Sequence, residues 1–163
     1  LTKRLLFLLT LLFTLTVSVP ALSRTLSSSD GSFWVDLPAG FGPASDPPAN
    51  TILAVEVPGS GISLFAQKGD PVEMDPTEYA DRQKRMLFDN GAQIHGTTTS
   101  TLAERPACSF LVAGVAQGKE SLFVFNQRQN AVYVFVLNYP VGQRQKAAGL
   151  WDQIAPTLKF AKN

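Results

Sequence analysis

Ala131-Val132-Tyr133-Val134-Phe135-Val136-Leu137-Asn138-Tyr139 is the stretch that decides the fold. In an extended chain successive side chains point to opposite faces. Val132, Val134 and Val136 therefore share one face, and Tyr133, Phe135 and Leu137 share the other. Both faces are apolar. A sheet with one wet face alternates apolar and polar residues, so this strand belongs to a sheet covered on both sides. Cys108 to Ala116 has the same character, with Phe110 and Val112 opposite Leu111 and Val115. Ser121 to Gln127 lies between the two. The connections Gln117-Gly118-Lys119 and Arg128-Gln129-Asn130 are short, which makes the neighbours antiparallel hairpins.

Working outward, Thr51 to Val57 and Ile62 to Gln67 flank the turn Gly59-Ser60-Gly61 and predict another hairpin. Phe33, Val35 and Leu37 alternate with Trp34 and Asp36 in a strand that ends at Pro38. Residues 24–30 are Ser-rich and are expected to lack regular structure up to the Asp30-Gly31 turn. Gln93 to Leu102 is rich in Thr but almost free of apolar residues, as an edge strand kept soluble would be.

Two segments carry helix signals. Asp75 is a good N-cap for Asp75 to Asn90, Pro76 suits the first helical position, and Glu78 completes a capping box. Its apolar stripe is Tyr79, Ala80, Gln83, Met86 and Leu87. Asn90-Gly91 supplies the stop. Gln143 to Ala155 places Ala147, Leu150, Trp151 and Ile154 on one face, with Pro156 ending or bending it. These elements predict an α+β fold: an antiparallel sheet of about six to seven strands with helices on both faces.

Residues 1–23 read as a secretory signal peptide: Lys3 and Arg4, an apolar run from Leu5 to Val19, then Pro20 and the small-residue site Ala21-Leu22-Ser23. The remainder, 24–163, is expected to be a single domain, exported to the periplasm or beyond. Setting the signal aside leaves 12 basic against 13 acidic residues. That balance argues against nucleic acid as a partner and against a purely electrostatic hold on membranes. No stable membrane insertion is expected after cleavage. The single cysteine, Cys108, permits no internal disulfide.

No catalytic or metal signature emerges. His95 is the one histidine, and there is no Gly-x-Ser-x-Gly elbow. Cys108 is in phase with Phe110 and Val112 and reads as a small buried hydrophobe. The acidic run Asp70, Glu73, Asp75, Glu78 and Asp81 offers clustered oxygens of the kind calcium takes. It lacks the twelve-residue calcium loop and its glycine. Acidic residues also suit a helix N-terminus, so no cofactor is expected, with a calcium-like ion as the alternative. Arg82, Lys84 and Arg85 read as a solvated face with an Asp81–Arg85 pair. Arg144 and Lys146 read as surface charge. The polar strand offers a partner surface at Gln93, His95, Thr97, Thr99 and Thr101, to which an extended peptide could add.

The order of elements, with Phe33-Trp34-Val35-Asp36-Leu37-Pro38-Ala39-Gly40-Phe41, Ala131-Val132-Tyr133-Val134-Phe135 and the closing Leu150-Trp151-Asp152-Gln153-Ile154-Ala155-Pro156-Thr157-Leu158-Lys159-Phe160, resembles the PsbP-like family. That family shares its fold with PsbP, the nuclear-import factor Mog and the bacterial periplasmic protein DcrB. The resemblance implies an antiparallel sheet flanked by helices and a non-enzymatic role in assembly or binding. It supplies no site residues. The expected function is that of an exported binding or accessory protein of the bacterial envelope, working through a protein–protein surface. The alternatives are a small-ligand carrier with a pocket lined by Phe123, Phe125, Tyr133 and Phe135, and a hydrolase with a dispersed site.

Overall fold

The decisive stretch forms β9 (Ala131–Pro140), the middle strand of a seven-stranded antiparallel sheet. The computed structural model describes residues 23–70, 74–114, 116–128 and 131–161. The segment read as a signal peptide lies almost wholly outside them. Along the chain, β1 is Arg24–Ser27, β2 Phe33–Leu37, β3 Gly42–Pro43, β4 Thr51–Val57 and β5 Ile62–Gly69. Helix α1 is Pro76–Asp89, followed by β6 (Gln93–Leu102), β7 (Arg105–Ala113) and β8 (Lys119–Arg128). After β9 come α2 (Arg144–Ile154), a 3₁₀ turn at Ala155–Thr157, and β10 (Lys159–Phe160). The large sheet runs β3-β4-β5-β9-β8-β7-β6, and β1-β2-β10 form a second, three-stranded sheet. The architecture is α+β, with an antiparallel sheet and helices on its two faces.

Both sides of β9 are packed, as its sequence requires. Tyr133, Phe135, Leu137 and Tyr139 enter one core with Leu53, Val55, Leu64 and Val124 of the neighbouring strands. Ala147 and Ile154 of α2 and Phe33, Val35 and Leu37 of β2 cover this side. Val134 joins the opposite core, where Cys108, Phe110, Val112 and Phe125 pack against Ala80 of α1. Phe110, Phe123 and Phe125 lie nearly parallel, with centroids 5.3–6.3 Å apart. On the first side Phe33 meets Phe135 at 5.5 Å, and Tyr133 meets Phe160 at 4.8 Å.

Several details differ from expectation. Arg24–Ser27 is a strand, not an irregular leader; it pairs antiparallel with β2 from Arg24↔Leu37 to Ser27↔Trp34. Its side chains are mostly exposed, so the backbone ladder forms it and no hydrophobic pattern announces it. Met86 is 52% exposed and leaves the α1 stripe, whereas Tyr79, Ala80, Gln83 and Leu87 face inward. Asp81 pairs with Lys84 instead of Arg85. Lys84 also donates to Thr97 Oγ1 at 3.1 Å, so it ties α1 to β6. Asp75 caps α1 through the Thr77 N–H at 2.7 Å, and Pro156 turns the end of α2 into the 3₁₀ turn. Trp151 is only half-buried, tilted against Phe135 at 5.9 Å, while Ile154 is fully buried.

Two polar anchors hold this frame. Asn126 is fully buried and donates to the carbonyls of Leu102 and Pro106 at 3.3 and 3.1 Å. Its Oδ1 accepts from Arg128 Nε at 3.1 Å, and Arg128 donates to the Ala103 carbonyl at 2.8 Å. Together they clamp the two-residue β6–β7 turn, where Ala103 and Glu104 both have positive φ (47° and 65°). The second anchor is Asp30, which joins the two sheets. It accepts from the Ser28 and Ser32 hydroxyls at 2.9 and 2.7 Å and from Lys68 of β5 at 3.0 Å. Burial alone would raise its carboxyl, but these bonds hold it well below the usual carboxylate range.

Replacing Asn126 by Ala should lower unfolding stability by about 1–3 kcal/mol in urea titration, because the Leu102 and Pro106 carbonyls lose a donor. Asp30→Asn should lower the thermal midpoint at pH 7. A depressed folded carboxyl contributes fully above the unfolded value near ~3.9 and loses that contribution as the pH falls. The gap between the two proteins should therefore begin to narrow as the pH falls below that value and close only when the pH drops beneath the depressed value of the folded carboxyl. Ile154→Ala should cost about 2–5 kcal/mol, more than Trp151→Ala.

Candidate functional site

The helical covers are unequal in reach. Helix α1 touches β6, β7 and β8 on one face, while α2 on the other lies chiefly over β9. The α2 side of β6, β7 and β8 is therefore left with an open groove of about 390 Å³. Leu111 of β7 and Leu122 of β8 are direct cross-strand partners and give it an apolar floor. Ala147 and Ala148 form the helical wall. His95, Thr98 and Ser109 stand on the strand side, and Arg144 and Asp152 on the helix side.

Tyr139 of β9 also lines this groove and is fully buried. Its hydroxyl has no hydrogen-bond partner among the described residues. The neighbouring charges are Glu120, directly opposite Tyr139 in the ladder, and Arg144, which bonds Glu120 at 3.2 Å. Burial, then the Glu120 charge, pushes the phenol up, so it stays protonated and can donate. Leaving such a group unpaired costs about 1–3 kcal/mol. Gln143 Oε1, at the start of α2, is likewise buried without a partner. Both orphaned atoms thus sit at one junction, between β9 and α2.

The predicted partner surface is reshaped by a β-bulge. His95 pairs with Leu111 and Thr97 with Phe110, so Gly96 is the extra residue, at φ 61°. The bulge reverses the phase of the strand. Gln93 and His95 lie on the α2 side, whereas Thr97, Thr99 and Thr101 lie on the α1 side. His95 and Thr97 were expected to share a face, and they do not. All five residues remain exposed on β6, which is the sheet edge as expected. The glycine in mid-strand was the sequence signal for this bulge.

The remaining sequence candidates separate cleanly. Phe123 and Phe125 pack on the α1 side, and Tyr133 and Phe135 on the α2 side. They do not line one pocket, so the alternative of a carrier cavity built from these four rings is not met; they fill two cores. The groove does bring His95, Ser109 and Asp152 together. Ser109 Oγ turns to the Thr98 carbonyl at 3.5 Å, and no hydrogen bond links His95 to Ser109 or Asp152. Cys108 lies on the opposite face, fully buried, and burial pushes its thiol up. Of the acidic run, Asp75 is engaged as a helix cap and Glu73 lies outside the described residues. Arg144 is not simple surface charge, since it lines the groove.

No protein-family model and no curated protein matches the sequence. Solved structures do match in fold. Cyanobacterial PsbP from Synechocystis sp. superposes with a TM-score of 0.64 at 10% identity, over 90% of this chain and 96% of its own. The chain has the PsbP/Mog1-like fold. The Ran-binding protein Mog1p of Saccharomyces cerevisiae gives 0.63 at 11% identity, over 86% of this chain and 96% of its own. LpqN of Mycobacterium tuberculosis, described as involved in cell envelope biogenesis, gives 0.57 at 14% identity, over 86% and 91%. At such identities the PsbP/Mog1-like fold is what these proteins share, and each site has to be argued from its own residues. Among the described residues no helix is long and apolar enough to cross a membrane.

Cys108 should react with a soluble thiol reagent at a rate limited by opening of the α1-side core. Native protein should label orders of magnitude more slowly than urea-unfolded protein, measured by mass spectrometry.

Proposed function

We propose that this chain is an exported, non-enzymatic binding or accessory protein of the bacterial cell envelope. It works through a protein–protein surface on β6. The observation that carries this reading is the edge itself: ten residues of strand, seven of them with exposed polar side chains, at the end of a well-packed sheet. An edge strand keeps a row of backbone donors and acceptors available to an added strand. The Gly96 bulge divides that edge. A partner strand on the Thr97–Thr101 side would meet threonines, whereas one near His95 would meet the groove rim. The neighbours in fold support the class of activity, since one is named for binding Ran and another for envelope biogenesis. Export rests on Lys3, Arg4 and the apolar run that follows.

Photo-crosslinking in living bacteria tests this reading. A crosslinking residue at Thr99 or Thr101 should trap a discrete envelope protein, and one at the exposed Asp46 should not. Thr99→Pro, which removes a backbone donor facing away from β7, should weaken the adduct at Thr101 several-fold. Identical adducts at all three positions, or none on β6, would contradict the proposal.

A further inference from the structure

A second cavity, of about 180 Å³, lies at the seam between the two sheets, where Arg128 of β8 and Lys68 of β5 meet Phe160 of β10. Arg128 carries a charge that no carboxylate answers. Among the described residues the ion pairs are Lys68–Asp30, Lys84–Asp81 and Arg144–Glu120, and Arg128 belongs to none of them. It is half-buried, and charges withdrawn from water are normally paired. Burial, then the Arg105 charge, draws its guanidinium below the ordinary value, with Tyr133 and Glu104 acting the other way. Its orientation is nevertheless fixed. Nε donates to Asn126 Oδ1, a terminal N–H donates to the Ala103 carbonyl, and the guanidinium carbon lies 3.6 Å from the Phe160 centroid. Those bonds take two of the five guanidinium N–H groups, and both acceptors are neutral.

The rest of the lining sets what can enter. Lys68 adds no net charge, because Asp30 accepts from it at 3.0 Å. Ser32 adds no donor, since its hydroxyl and its N–H both go to Asp30. Tyr133, the cross-strand partner of Lys68, presents its ring 5.9 Å from the Lys68 ammonium and edge-on to Phe160 at 4.8 Å. Ala131 stands directly opposite Arg128 in the β8–β9 ladder, and its small side chain leaves space beside the guanidinium. We propose that this cavity binds one small monocarboxylate, its oxygens on the remaining N–H groups of Arg128 and its short body over Ala131 against Phe160 and Tyr133. A planar guanidinium with parallel N–H groups matches the two oxygens of a carboxylate. The local balance is a single positive charge, so one negative charge completes it. A dianion would set its second charge against Asp30. The volume is below the ~300–1,000 Å³ of drug-sized sites, which limits the body to a few carbons. The site makes no use of the β6 edge and stands or falls without it.

Titration of the 163-residue chain with propionate at constant ionic strength, followed by NMR, tests the site. Saturable shifts are expected at the Ala131 and Ala161 amides and at the Arg128 Nε–H. Propionamide, neutral and of the same shape, should bind about tenfold more weakly. Bound propionate should also raise the thermal midpoint. Ala161→Glu, a change at an exposed residue of the lining, sets a carboxylate at the cavity and should abolish both effects while the amide spectrum elsewhere is kept. Arg128→Lys retains the charge but loses the fork, and should weaken propionate several-fold. The proposal is overturned if the shifts do not saturate, if propionamide matches propionate, or if Ala161→Glu binds propionate as the parent does. Hydrogenphosphate that binds more tightly than propionate would overturn the choice of a monocarboxylate.

Discussion

The structure depends on burial of both faces of β9. A strand with valines on one side and large aromatic and aliphatic residues on the other cannot leave either side wet. Each fully buried side chain of this kind contributes about 1.5–3 kcal/mol relative to exposure. The strand therefore takes the centre of the sheet and demands a cover on each side. α1 meets one demand, and α2 with the small sheet of β1, β2 and β10 meets the other. The core needs no disulfide because the two layers of side chains close around one strand.

Surface features follow from how the covers are shared. α2 continues directly from β9 through a short turn, so it lies back over its own strand and leaves β7 and β8 partly open on that side. The groove is a consequence of this short connection. The same connection brings Tyr139, Gln143 and Arg144 together, and a buried hydroxyl is left there without a partner. On the other side α1 spans β6 to β8, and Lys84 reaches Thr97 at the edge. β6 is thereby held in place by one helix while its outer edge stays uncommitted among the described residues.

Much of this was legible in the sequence. The periodicity of Phe33–Leu37, Thr51–Val57 and Ala131–Tyr139, and the signals at Asp75, Pro76, Asn90 and Gly91, report on local structure, and local structure obeyed them. What escaped was non-local or carried by backbone alone. β1 is Ser-rich and mostly exposed, and only its ladder with β2 makes it a strand. Met86 fits a helical stripe, but in the folded protein this position of α1 meets solvent. The five residues read as a single partner surface looked co-facial at period two, and Gly96 broke the period. The four aromatics read as a pocket belong to opposite faces once the register of β8 with β9 is known. The groove joins residues from β6, β7, β8, β9 and α2, so no single segment could announce it.

Hydrogen exchange of the backbone amides tests the central claim most directly, that a two-sided core locks β9 while the sheet ends in an open edge at β6. The account predicts that amides of β9 exchange only through global unfolding, with a free energy equal to that from denaturant titration. Amides of β6 that face away from β7 should exchange within minutes, without any dependence on global stability. Protection along the whole of β6 equal to that of β9 would contradict the account, as would β9 amides that exchange through local opening.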